Sequence, residues 1–192
     1  MDSAALQGGF TDTPVDAARA FRAAMRVMAC PGQIRTLTGA APPAPLSVAA
    51  GTLVLTLCDP QTPIHLAGAH DTQPVRDWIT FHSGAPFAPR TEAQFAIGTW
   101  QALAPLHDYP VGTPDYPDRS ATLVIEQDAL EPEGALLSGP GIGDTAALNL
   151  PRTEAFEANS RLFPLGLDFF LTCGDRVAAL PRTTKVSPCM SR

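Results

Sequence analysis

Asp168-Phe169-Phe170-Leu171-Thr172-Cys173-Gly174-Asp175-Arg176-Val177-Ala178-Ala179-Leu180 is the stretch on which the fold turns. Two short runs, Asp168 to Cys173 and Arg176 to Leu180, are apolar enough to be buried strands and flank Gly174-Asp175. A two-residue Gly-Asp connection between such runs predicts a hairpin. Just upstream, Thr153 is placed to cap a helix running to about Leu162, and Pro164-Leu165-Gly166 breaks it.

The same alternation extends towards the N-terminus. Ser120 to Glu126 is a clear strand, with Ala121, Leu123 and Ile125 alternating against polar neighbours. Ala135 to Ser138 reads as a strand leading into Gly139-Pro140-Gly141-Ile142-Gly143. Gln94 to Ile97 reads as a strand followed by a short helix, Thr99 to Leu106. Val75, Trp78, Ile79 and His82 have helical spacing, which predicts a helix from Gln73 to His82 that stops at Gly84-Ala85-Pro86. Pro63 to Leu66 is a short strand. Leu46 to Leu57 is apolar on all sides and is read as a buried helix, with a buried strand as the alternative that periodicity does not separate. Gln33 to Leu37 forms a short strand after the breaker Pro31-Gly32.

The first helix runs from Pro14 to Ala29, with Thr13 as cap and Asp16 as the capping-box acid. Ala18, Phe21, Met25 and Met28 make its apolar face. Arg19, Arg22 and Arg26 make a second stripe, either solvated or a contact face for an anion or acidic partner. Helices and short strands that alternate and end in a hairpin imply an α/β fold with a mixed sheet. Residues 1–192 are read as one three-layer domain, without internal repeats.

Composition narrows the function. The chain has 192 residues, a formal net charge of −6 and no basic run, which excludes the positive stripe of a nucleic-acid binder. The longest apolar run, Pro45 to Cys58, is about 14 residues, short of the ~20 that span a bilayer. Met1 to Phe10 lacks the pattern of a leader peptide. A soluble, cytoplasmic protein without membrane contact is therefore expected. Charged residues make up 17% of the chain, against ~25% in ordinary domains, which favours a subunit with neutral surface to cover.

Cys30, Cys58, Cys173 and Cys189 lack the close spacing of zinc, iron–sulfur or redox sites and are read as buried or idle thiols. His65, His70, His82 and His107 lie in separate segments, so no metal site is expected. His82 is read as a packed, hydrogen-bonded core histidine. The glycines at 139, 141 and 143 are either a structural turn or an anion-cradling one. Pro140 removes a donor from the latter, and no dinucleotide fingerprint is present. Two basic segments remain as candidate anion sites. Arg119-Ser120 stands where a Pro-rich loop, His107 to Asp118, meets the clear strand. Arg182-Thr183-Thr184-Lys185 follows the last strand. An arginine fork with neighbouring hydroxyls suits phosphate or phosphonate oxygens. The alternatives are an ion pair of Arg119 with Asp115 or Asp118, and a solvated tail.

Six segments, in order, resemble the PhnH family. They are Phe21-Arg22-Ala23-Ala24-Met25 into Met28-Ala29-Cys30-Pro31-Gly32, Asp59 to Leu66, Phe81 to Pro86, Tyr116 to Leu123, Leu137 to Ile142, and Phe163-Pro164-Leu165-Gly166 through Leu180 to Thr184. Cys30 stands where the family has a basic residue, and Gln61 where it has an acid. The resemblance implies a subunit of the carbon–phosphorus lyase core complex with partners PhnG, PhnI and PhnJ, assisted by PhnL. That complex transfers an alkylphosphonate to the ribose C1 of ATP with release of adenine. It also implies a reduced large domain of the pyridoxal-phosphate transferases, without that cofactor, which dimerises with itself in isolation. The family carries over no catalytic residue. Pyridoxal chemistry needs an amine, and Lys185 is the single lysine. A non-catalytic scaffold and a stand-alone nucleotide or phosphonate binder are the competing readings.

Overall fold

The computed structural model describes residues 7–189. Its centre is a six-stranded mixed sheet in the order β1 (Arg35–Thr36), β8 (Arg176–Leu180), β7 (Asp168–Cys173), β4 (Thr122–Glu126), β3 (Phe95–Thr99) and β2 (Ile64–Leu66). β2, β3, β4 and β7 run parallel, β8 pairs antiparallel with β7, and β1 pairs antiparallel with β8. Leu123, Val124 and Ile125 are all buried, as a strand covered on both faces requires.

Alternate residues of each strand feed two separate cores. Ile97, Val124, Phe170, Val177 and Ala179 face α1 (Thr13–Ala29), α2 (Val48–Leu57) and α3 (Gln73–Ser83). Ala96, Leu123, Ile125, Phe169, Leu171, Ala178 and Leu180 face the other way. They meet α4 (Trp100–Leu103), α5 (Thr153–Ser160) and a three-stranded sheet in the order β6 (Ala146–Leu148), β5 (Ala135–Ser138) and β9 (Lys185–Ser187). The result is an α/β architecture with a mixed sheet between two covering layers.

Local departures from the sequence reading have physical causes. Asp12, not Thr13, caps α1: its Oδ1 accepts from the Val15 N–H, and Asp16 Oδ2 accepts from the Asp12 N–H at 3.0 Å. The box is reciprocal but one residue longer than expected. The buried face of α1 is Ala20, Ala24 and Val27, whereas Phe21 and Met25 are exposed. Small side chains let α1 lie close to α2, and the bulky stripe faces outward. The apolar run 46–57 is helical because Ser47 caps it, accepting from the Ala50 N–H at 3.1 Å. The helix expected from Thr99 to Leu106 ends at Leu103, since Pro105 cannot continue it. Thr153 is the first residue of α5, not its cap.

The outer edges of the large sheet are short. β1 has two residues, and the outer edge of three-residue β2 is bridged at Ile64 by the segment after α3. That pairing is confined to Ile64, the first residue of β2: its N–H donates to the Pro86 carbonyl at 2.8 Å, and its carbonyl accepts from the Ala88 N–H at 2.9 Å. Among the described residues no helix is long and apolar enough to cross a membrane.

Candidate functional site

The two basic segments singled out in the sequence meet where β4 and β7 begin. Arg182 donates to Ser120 Oγ and to the Pro117 carbonyl, joining the tail after β8 to the Pro-rich loop. However, its Nε also donates to Asp168 Oδ1 at 3.2 Å, and Nη2 lies 2.5 Å from Asp168 Oδ2. Every nitrogen of the fork is engaged within the chain. Arg182 therefore braces the hairpin against the loop, with most of its donors spent inside the chain. Thr183 is half-buried. Thr184 is buried, and its Oγ1 has no partner among the described residues. Lys185 opens β9 and is exposed.

Arg119 differs. Its guanidinium lies over the Tyr116 ring, 4.0 Å from the centroid, and no carboxylate pairs with it among the described residues. The expected alternative of a pair with Asp115 or Asp118 is not formed. Arg119 and Ser120 line a polar cleft of about 500 Å³ with Gln94, Thr122, Glu92 and Asp118. Stacking fixes the guanidinium while leaving its donors available.

The glycine turn packs against the end of α1. A side chain at Gly141 would meet the Ala29 carbonyl oxygen at 1.8 Å, and Gly141 has φ +80°. Only glycine allows this loop to rest on the end of α1.

A buried polar cluster at the opposite, carboxyl end of the strands escaped sequence reading. Glu126, closing β4, accepts from the Ser47 N–H at 2.7 Å and from Thr172 Oγ1 at 2.9 Å. His70 Nε2 lies 3.8 Å from the same carboxylate, and His70 Nδ1 has no partner among the described residues. Burial pushes the His70 pKa below its ordinary 6.5, against the opposing pull of Glu126. Glu126 thereby fastens the start of α2 to β4 and β7. Among the described residues no group of three or more His, Cys, Asp or Glu is placed to hold a metal ion.

Between α4 and α5 lies an apolar cleft of about 630 Å³ lined by Trp100, Leu106, Tyr109, Ala155 and Leu162, with His107 and Arg152 also on its wall. Tyr109 is 3% exposed, and its hydroxyl has no partner among the described residues. Burial pushes the Tyr109 pKa up to about 12.

A family model described as "Bacterial phosphonate metabolism protein (PhnH)" matches residues 8–187. The chain belongs to the PhnH family. Its setting is phosphonate metabolism. A PhnH relative from Rhizobium meliloti (strain 1021) is named alpha-D-ribose 1-methylphosphonate 5-triphosphate synthase subunit PhnH. It is 43% identical over 188 residues, covering 93% of this chain and 94% of its own. HtxG of Stutzerimonas stutzeri, whose name ties it to a C-P lyase, is 30% identical over 176 residues, covering 88% of this chain and 84% of its own.

The segments that carry the PhnH resemblance pair off in space. Met28 to Gly32 touches Leu137 to Ile142 through Gly141 on Ala29. Asp59 to Leu66 touches Phe81 to Pro86 through the Ile64 N–H on Pro86. Tyr116 to Leu123 touches Leu180 to Thr184 through Arg182 on Ser120 and Pro117. The PhnH pattern thus marks places where distant loops lock together.

Proposed function

We propose that this chain is the PhnH subunit of an α-D-ribose 1-methylphosphonate 5-triphosphate synthase. In this reading it supports transfer of an alkylphosphonate to the ribose C1 of ATP with release of adenine. The observation that carries the reading is the 43% identity to the Rhizobium meliloti subunit over 93% of this chain and 94% of that one. PhnG, PhnI and PhnJ are its partners, PhnL assists, and the isolated protein pairs with itself in the cytoplasm.

Its contribution is shape and contact, with reactivity supplied by other subunits. Arg119 and Ser120, set in their polar cleft, are the groups best placed to touch a phosphonate or phosphate oxygen. The chain works without pyridoxal phosphate, as a reduced relative of the transferases that use it. In support, Lys185 is exposed on the small sheet and lines neither the Arg119 cleft nor the apolar one.

Co-expression with PhnG, PhnI and PhnJ, followed by an adenine-release assay with ATP, methylphosphonate and PhnL, tests the proposal. Co-purification is expected, with release by the assembled set and none by this chain alone. Elution alone, or turnover by the lone polypeptide, would overturn it.

A further inference from the structure

One face of α1 runs against the charge of the whole molecule. Arg19, Arg22 and Arg26 on α1, with Arg35 on β1, line a shallow groove of about 630 Å³ together with Ala23 and Met25. The formal charge of the chain is −6. Yet among the described residues the only carboxylate within 4.0 Å of these four guanidinium groups is Asp16, at 4.0 Å from Arg19. Arg35 donates to Gln33 Oε1 at 3.3 Å, which leaves its charge uncompensated. Four like charges held together repel one another unless a counter-charge arrives.

Beside the basic row runs an apolar one. Phe21 is 50% exposed and Met25 49%, while the core side of the helix is Ala20, Ala24 and Val27. Residues four apart stack along a helix, so Phe21–Met25 and Arg22–Arg26 form adjacent rows. Arginine, methionine and aromatic side chains are the types enriched in protein interfaces. A second copy of this chain does not fit as occupant. A two-fold contact centred here would set arginine row against arginine row.

We propose that this face docks an acidic, amphipathic segment of a different protein. Its carboxylates meet Arg19, Arg22, Arg26 and Arg35, and its apolar side chains cover Phe21 and Met25. The inference rests on the reading of the chain as a complex subunit, since the segment belongs to one of the proteins it assembles with.

The test uses full-length chain and co-expressed PhnG, PhnI and PhnJ, with Kd measured from about 0.05 to about 0.5 M NaCl. Arg22→Glu/Arg26→Glu is expected to weaken association about tenfold or more and to flatten its salt dependence. Phe21→Ser/Met25→Ser is expected to weaken association while leaving the salt slope unchanged. All four side chains are exposed, so thermal unfolding midpoints should match the parent chain. If the parent chain assembles and both double variants assemble equally well, the docking face is wrong and the subunit reading stands. Weakening by the glutamates alone would reduce the face to a plain anion site and overturn the amphipathic partner. If the parent chain does not assemble at all, the subunit reading fails and the docking face with it.

Discussion

Asp168 holds Arg182 by main chain and side chain together. Asp168 Oδ1 accepts from the Arg182 backbone N–H at 2.8 Å and from Nε at 3.2 Å, while Oδ2 faces Nη2. Asp168 opens β7 and Arg182 follows β8, so the pair clasps the open end of the hairpin.

The side chains of this pair are 13% (Arg182) and 20% (Asp168) exposed, so removing one partner strands a largely buried charge. Arg182→Ala is expected to destabilise the fold by ~3 kcal/mol in urea titrations. Arg182→Lys should recover only part of this, because an ammonium cannot reach Ser120, Pro117 and both carboxylate oxygens at once.

Arg119 presents the contrasting case. It stacks on Tyr116 and pairs with no carboxylate among the described residues, so Arg119→Ala should cost no more than ~1 kcal/mol of stability. Under the proposed function the same change should lower adenine release by the reconstituted complex about tenfold. Activity unchanged at matched assembly would remove Arg119 from the site.

The buried Tyr109 hydroxyl makes no hydrogen bond within the described residues. An unmade bond costs stability, so Tyr109→Phe should be neutral or stabilising by up to ~1 kcal/mol in thermal melts of the free protein. A clear loss of stability would show that the hydroxyl is satisfied after all.

His70 sets a pH dependence with a definite sign. Its folded pKa lies below the ordinary 6.5, so the unfolded chain takes up the proton first on acidification. The neutral-His contribution is complete above that value and is lost as pH falls through it towards the lower folded pKa. Urea midpoints should therefore decline from neutral pH towards pH ~5, and His70→Gln should flatten that decline.

Thiol reactivity should separate the cysteines. Burial and the neighbouring Asp59 push the Cys58 pKa up to about 12, whereas Cys189 is exposed. An aromatic disulfide reagent should modify Cys189 in the native protein and Cys58 only after denaturation. Half-buried Cys30 and Cys173 should react at intermediate rates; of the four, only Cys58 is buried.

The legibility of this fold followed the strength of its local signals. β7 and β8 were read to the residue, because Gly174-Asp175 is turn chemistry between two saturated apolar runs. β6 and β9 are absent from the sequence reading: each has three residues whose strand form rests on pairing with β5, which only the fold supplies. On α1, Phe21 and Met25 outweigh alanine on any hydrophobicity count, yet packing selected Ala20 and Ala24 because they permit close approach. Arg119 and Arg182 both stood out as cations. Their opposite fates depended on Asp168, which is 14 residues from Arg182 and reaches it only across the folded hairpin. The link between His70 and Glu126 is likewise invisible until β2 and β4 lie in one sheet.

The covered border of β2 and the two-residue length of β1 bear on behaviour at high concentration. A strand arriving from another molecule would need a ladder of open amides and carbonyls to grow upon. At one border Pro86 and Ala88 already occupy those of Ile64, and at the other the runway ends after two residue pairs. On the large sheet, fibril growth by lateral recruitment thus meets only a short template, even though the sheet interior is rich in the β-branched and aromatic residues that amyloid favours.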